Sequence, residues 1–562
     1  MESIYDFIIV GGGPSGCAVA SWLAKSPKKP SVFLLEAGGK NDDHDLRVDG
    51  KRWTTLFNED LNWGYKSTTQ EHCGNREIGL PGGRGLGGGS AINFAGYSVG
   101  CRDDYDEWAR IVGDDTFRWE HMQVRLRNLE SFNGEPPSGI GKKYIAPKAA
   151  DHGSSGPLKV GYTKECVEDL LEILDCFEQA GYPLNPDHNS GNPIGMSVAI
   201  SSCQSGVRST AADLIASAPD NLTVATNSLV QRVIIEGRKA IGVEANGKKY
   251  FASKEVILCT GALNSPRILM HSGIGPVKQL KDYEIPIIHQ NEAVGQNMRD
   301  HLCVPIIHSR KEPAVSSASF YSDPEAMEAA LDQWKKDGTG PWAKYGAQSG
   351  IGFFKLDNID KTKEFQDLPA EEQRFILLDT VPHYEVITHF PAHWLDPTVP
   401  TMNYHSLVTW YFNTQSRGEI TLQSADPDVP LKFNPRYLTS PFDRRLAVES
   451  LRAVLRFTEH ESYAKNTVAL ISGPKSDSEE DILAFWGEKV ISSLHMTGTA
   501  RMGKPGDSNV VVDNDFRVMG VEGLRVADLS VVPVLPCAHV QAAAYVTGIT
   551  CAEKLVKEYG LE

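Results

Sequence analysis

The stretch Phe7-Ile8-Ile9-Val10, followed at once by Gly11-Gly12-Gly13-Pro14-Ser15-Gly16, constrains this chain more than any other. A continuous apolar run suits a parallel strand buried on both faces, and Gly11, Gly13 and Gly16 complete a GxGxxG turn after it. Such a turn lets a pyrophosphate approach the backbone and seats the next helix, whose apolar face would be Ala18, Val19, Ala20 and Leu23. A second apolar strand, Ser31 to Leu35, runs into Glu36 about 20 residues past the last glycine, where a carboxylate grips a ribose hydroxyl. Strand, loop, helix, strand and acid in this order predict a Rossmann-like α/β unit holding a dinucleotide, FAD or NAD.

The chain has 51 glycines in 562 residues, with no collagen-like period and no low-complexity tract to absorb them, so their positions carry information. Six fall in Pro81-Gly82-Gly83-Arg84-Gly85-Leu86-Gly87-Gly88-Gly89-Ser90-Ala91-Ile92-Asn93, a run punctuated by larger residues as a flexible linker is not. It reads as backbone amides packed against something flat or anionic. A third group, Gly261 to Gly275, follows the apolar strand Val256 to Cys259 and predicts a loop and a helix begun at Pro266 and stopped by Gly273. The net charge of −16 argues against nucleic acid as the main partner. The start lacks the pattern of a secretory signal, and no apolar run is long enough to span a membrane, so a soluble cytoplasmic protein is expected. Ten scattered cysteines offer no CxxC pair and no zinc spacing.

Two of these stretches resemble the sequence signatures of the glucose-methanol-choline (GMC) oxidoreductases, and of aryl-alcohol oxidase-like members among them. The first runs from Gly83 through Asn93, Tyr97 and Gly100 to Asp106, the second from Gly261 to Gly275. The resemblance extends to Gly523-Leu524-Arg525-Val526-Ala527-Asp528. It implies FAD rather than NAD. By resemblance, Glu36 holds the adenosine ribose, Asn93 and its neighbours the flavin ring, Val230 meets the adenine edge through its backbone, and Asp528 lies by the ribityl-pyrophosphate, with Gly11, Gly13, Gly16, Arg84 and Gly88 completing the expected cofactor-binding set. Some relatives bond the flavin covalently through a histidine, but Ile92 stands at that place here, so non-covalent FAD is expected. The resemblance also divides the chain: an FAD-binding domain from residues 1–160, 196–306 and 488–562, with a short insert at 161–195. A substrate-binding α+β domain built on an antiparallel sheet would occupy 307–487.

Oxidising an alcohol by hydride transfer requires loss of the hydroxyl proton, and a base that is neutral near pH 7 suits histidine. Of 16 histidines, His495 opens His495-Met496-Thr497-Gly498-Thr499-Ala500-Arg501-Met502-Gly503, which resembles the family segment carrying the base. His539 stands where the family places a second histidine or an asparagine. The expected pair has His495 taking the proton and His539 donating a hydrogen bond to the developing alkoxide. Met496 and Ala500 depart from the commoner proline and cysteine, which bears on pocket shape. Trp342, Tyr345, Phe353, Phe354, Phe390, Trp394, Trp410, Tyr411 and Phe412 mark the long insert as aromatic, with core packing the more frequent role for alternating positions such as Trp410 and Phe412. His389 and His393 have metal-pair spacing, yet Pro391 between them speaks against a zinc helix, and no metal is expected. The expected function is oxidation of a primary alcohol, aryl or otherwise unsaturated, with electrons passed to O₂ or a quinone-like acceptor. The rival is a non-redox or light-driven member: cyanohydrin lyase, cyclase or decarboxylase.

Overall fold

The structure is a computed structural model that describes residues 4–56, 58–163, 166–311, 318–344, 349–391 and 403–562. Tyr345, His393 and Trp394 lie outside these residues. Two seven-stranded sheets organise the described chain. In the first, Leu222–Ala225, Val32–Leu35, Ile4–Val10, Lys248–Leu258 and Leu524–Val526 lie side by side and parallel. The strands Val230–Glu236 and Lys239–Ala245 continue it as an antiparallel meander. Burial explains the apolar run at its centre: Phe7, Ile8 and Ile9 are wholly inaccessible, and each such side chain contributes about 1.5–3 kcal/mol.

The helix Pro14–Ala24 follows the glycine turn directly, with Pro14 in its first turn, where a missing N–H costs nothing. A Cβ added at Gly16 would lie 1.8 Å from the Gly11 carbonyl oxygen, so the turn closes only around glycine. The long C-terminal helix Gln541–Glu558 packs on this helix, and the Ser15 hydroxyl donates to the Ala544 carbonyl at 2.7 Å. That contact ties the segment just after His539 to the dinucleotide turn.

The helix expected from Pro266 instead spans Gly261–His271, with the proline inside. Pro266 cannot donate to the carbonyl of Ala262 one turn earlier, and the Thr499 hydroxyl fills that acceptor at 2.6 Å. A tertiary hydrogen bond from the His495 segment thus removes part of the penalty that a local reading assigns to the proline.

The second sheet is antiparallel, in the order Thr467–Ser472, Leu302–Arg310, Tyr404–Tyr411, Tyr384–Thr388, Gly350–Phe354, Gly195–Val198. The fold is therefore mixed α/β, a Rossmann-like unit joined to an α+β region on an antiparallel sheet. The expected junctions at 195 and 306 fall inside Gly195–Val198 and Leu302–Arg310, both strands of the antiparallel sheet. The acidic stretch from Glu325 forms the helix Pro324–Asp337, capped by the Asp323 carboxylate on the Glu325 and Ala326 amides. Among the described residues, no helix is long and apolar enough to cross a membrane.

Candidate active site

Glu36 directly follows the strand Val32–Leu35 and is buried, with 6% of its surface exposed. Its carboxylate accepts from the amides of Gly12 (2.7 Å), Gly38 (2.9 Å) and Gly85 (2.9 Å), drawing three loops around one charge. With three of about four lone-pair positions used, Oε2 keeps capacity for a hydroxyl donor. Gly88 packs against Gly13, where an added Cβ would meet the Gly13 Cα at 2.8 Å. Beyond them a Cβ on Gly89 or Gly261 would stand in open space, and one on Gly13 would meet nothing nearer than 3.9 Å. Asp528 accepts from the Gly261 amide (2.9 Å), the Ser265 hydroxyl (2.5 Å) and the Ser530 amide (2.7 Å), fixing the start of the Gly261–His271 helix. A helix N-terminus, bare glycine backbone over open space and a buried ribose-type acid fit a dinucleotide.

Arg84 and Val230 flank this cradle: the amides of Asn227 and Ser228, just before Val230, donate to the Gly38 and Glu36 carbonyls at 2.7 and 2.8 Å. The Arg84 side chain is exposed, its guanidinium 5.2 Å over the Trp63 ring, and Arg267 approaches the same ring at 6.0 Å. Arg267 donates to the Val230 carbonyl at 3.3 Å. The structure thus joins Arg84 to Val230 through Trp63 and Arg267, while Arg84 contributes to the Glu36 loop only through its main chain.

Asn93 ends the glycine-rich run; its Oδ1 accepts from the Ala95 amide at 2.9 Å and its amide nitrogen reaches Gln541 at 3.4 Å. Gln541 opens the helix that follows His539, so Asn93 and the histidine pair are linked through one side chain.

The rings of His495 and His539 stand 5.1 Å apart, perpendicular at 89°. Their environments differ in sign. Burial takes the His495 pKa well below 6.5, and the neighbouring His539 and His301 push it the same way. Burial also lowers His539, but the charge and hydrogen bond of Glu385, 2.8 Å from its Nε2, outweigh this and leave its pKa raised. The site thus pairs a neutral imidazole with one that favours the cation, the arrangement that separates base from electrophile.

Sequence reasoning missed three residues of this corner. Glu385 sits in Tyr384–Thr388 directly opposite Trp410, so both share a sheet face, and both meet His539: the Trp410 and His539 rings lie 5.8 Å apart. A fully buried acid inside an otherwise apolar strand needs a cationic partner, and that was the available signal. Asp300 holds the main chains of both His301 (2.9 Å) and His495 (2.8 Å) on a single carboxylate oxygen. Tyr437 (2.6 Å) and Ser492 (2.5 Å) donate to its other oxygen, while burial pushes its pKa up to about 6. His301 places its Nδ1 3.1 Å from the Nδ1 of His495, 194 positions away, and no local motif marks it. Of the aromatic residues, Phe94, Phe390 and Trp410 form a chain of neighbouring rings, at 6.1 and 6.2 Å, that ends at His539. His389 is engaged by Thr388 (2.6 Å) and Asp169 (3.2 Å).

Fold and site together define an α/β protein with a dinucleotide-type cradle and a buried histidine pair. Residues 5–303 and 414–548 match the two models described as GMC oxidoreductase, and the chain belongs to this FAD-binding family. It is 30% identical to the glucose methanol choline oxidoreductase atC of Aspergillus terreus, over 99% of this chain and 93% of that protein. It is 31% identical to an oxygen-dependent choline dehydrogenase of Stenotrophomonas maltophilia, over 98% and 94%. Among solved structures, a formate oxidase of Aspergillus oryzae superposes with a TM-score of 0.90 at 26% identity, each chain covered in full.

Proposed function

We propose that the protein oxidises a primary alcohol to an aldehyde with non-covalently bound FAD, and that His495 takes the hydroxyl proton. The carrying observation is the perpendicular His495 and His539 pair with pKa values displaced in opposite directions. Glu36, Gly11, Gly13, Gly16, Gly88, Asn93 and Asp528 would hold the cofactor, whose chemistry when bound is to accept the hydride equivalent from the carbinol carbon. Neutral His495 is ready to accept a proton at neutral pH, and cationic His539 donates toward the oxygen on which negative charge grows. The Glu385 carboxylate keeps His539 in that donor state. Asp300 restrains the His495 main chain, so the base is oriented before substrate arrives.

The ring series Phe94, Phe390 and Trp410 supports an aryl or other unsaturated alcohol, because it gives a flat apolar substrate neighbours of its own kind up to His539. Ile92 is buried in an apolar cluster and offers no side-chain nucleophile to the flavin, which supports non-covalent attachment. Electrons would leave to O₂, giving H₂O₂, or to a quinone-like acceptor.

Anaerobic addition of a panel of primary alcohols, benzyl alcohol and choline among them, tests the reading: an alcohol substrate bleaches the flavin spectrum. Intact flavin absorbance with every alcohol would remove it and favour non-redox flavin chemistry. Acid precipitation should release the flavin into the supernatant. Mixing the reduced enzyme with aerated buffer separates the acceptors, fast reoxidation marking O₂.

A further inference from the structure

His495 and His539 are each held by a second group, and the two groups differ in kind. His539 has a carboxylate, Glu385, on its Nε2. His495 has an imidazole, His301, on its Nδ1. The consequence lies in the proton count between those rings.

Two ring nitrogens 3.1 Å apart hydrogen-bond only when one of them carries a proton and the other a lone pair. Burial holds both rings neutral: the pKa of wholly inaccessible His301 falls to about 3, and that of His495 lies well below 6.5. One proton is therefore shared along this line, and its owner decides what the other face of His495 can do. If His301 donates, the single proton of His495 must sit on Nε2, and the ring cannot accept a hydroxyl proton there. If His495 donates, its Nε2 is bare and basic. Only the second arrangement gives a base.

We propose that His301 is a positioning residue that selects the working tautomer of His495, its Nδ1 accepting the Nδ1–H of His495 so that Nε2 stays unprotonated toward the substrate. The inference rests on the reading of His495 as the base. One observation supports it besides the distance. The amides of His301 and His495 bond to the same Asp300 oxygen, so the two rings are anchored from one point and their separation is fixed by the fold. In this arrangement the proton of His301 lies on buried Nε2 without a hydrogen-bond partner, a cost that the fold bears.

A neutral partner is also what the chemistry needs. The groups acting on His495 are His301 and His539 on its ring and Asp300 on its main chain, with Glu385 behind His539. A carboxylate in place of His301 would still orient the ring, but it would favour the imidazolium and leave less free base at neutral pH. The difference between His301 and Glu385 thus matches the different tasks of the two histidines.

Three substitutions in the flavin-loaded enzyme, with the alcohol that bleaches the flavin fastest as probe, separate tautomer control from packing. His301→Leu removes the acceptor and should slow flavin reduction by about 10-fold to 100-fold with flavin content unchanged. His301→Asn places an amide oxygen near the old Nδ1 position and should recover most of that loss. His301→Asp should move the acid limb of the reduction rate upward by about 1–3 pH units, a displacement that packing alone does not produce. Independently of turnover, nitrogen-15 spectra of histidine-labelled wild-type holoenzyme should show a protonated Nδ1 and a bare Nε2 for His495, assigned by their loss in His495→Gln. A bare Nδ1 on His495, or an acid limb unmoved in a folded His301→Asp enzyme, would overturn the proposal. If His495→Gln reduces flavin as fast as the wild type, the base reading itself fails. If His495→Gln is inactive while the three His301 variants share one pH profile, only the tautomer inference fails.

Discussion

The dinucleotide cradle and the histidine corner are built from different materials. Around Glu36 the chain offers mostly backbone: amides of Gly12, Gly38 and Gly85, the bare surfaces of Gly13, Gly89 and Gly261, and the first turn of one helix. The corner offers side chains, with His495, His539, Glu385 and His301 drawn from separate stretches and joined across 154 and 194 positions. Backbone recognition tolerates little change in glycine and depends weakly on titration. Side-chain chemistry tolerates conservative replacement in the fold but shifts with every neighbouring charge.

The sharpest way to break this contrast is at the turn. With an added Cβ 1.8 Å from the Gly11 oxygen, Gly16→Ala should yield protein without flavin, read from the flavin-to-protein absorbance ratio; normal loading would contradict the backbone account. The next effect belongs to the corner. Glu385→Gln keeps a hydrogen-bonding partner but removes its charge, so the raised pKa of His539 should fall. The cationic form is lost as pH rises through that pKa, so the alkaline limb of flavin reduction should move to lower pH. The rate at pH 7.5 should drop about 10-fold to 100-fold, with flavin content intact. A smaller effect of the opposite type follows from Glu36→Gln: FAD should bind about 10-fold more weakly, or ~1.4 kcal/mol, while the reduction rate of the loaded enzyme stays the same. The smallest concerns Arg84→Ala. An exposed guanidinium over Trp63 is worth about 0.5–1 kcal/mol, so thermal stability should fall slightly and FAD affinity should change less than threefold.

The same division explains how far the sequence could be read. The cradle follows chain order, so Phe7 to Gly16 and Glu36 announce a strand, a turn and an acid before any tertiary contact is known. The helix around Pro266 shows where that logic ends, because the group that satisfies Ala262 is Thr499, far along the chain. The pairing of His495 with His539 was legible through motif resemblance. Their partners were not: an acid in a short apolar strand signals that Glu385 needs a cationic partner but not which one, and His301 is one of 16 histidines. What sets the two protonation states is a product of sheet register, in which Glu385 lies opposite Trp410, and of one carboxylate, Asp300, that anchors two segments.

The central claim is that binding and proton transfer reside in these two regions separately. His495→Ala tests it most directly, with flavin content and the anaerobic rate of flavin reduction by alcohol measured on the same preparation. The account predicts full flavin content and a rate lowered by about 10² to 10⁴. Undiminished reduction, or loss of flavin together with activity, would contradict it.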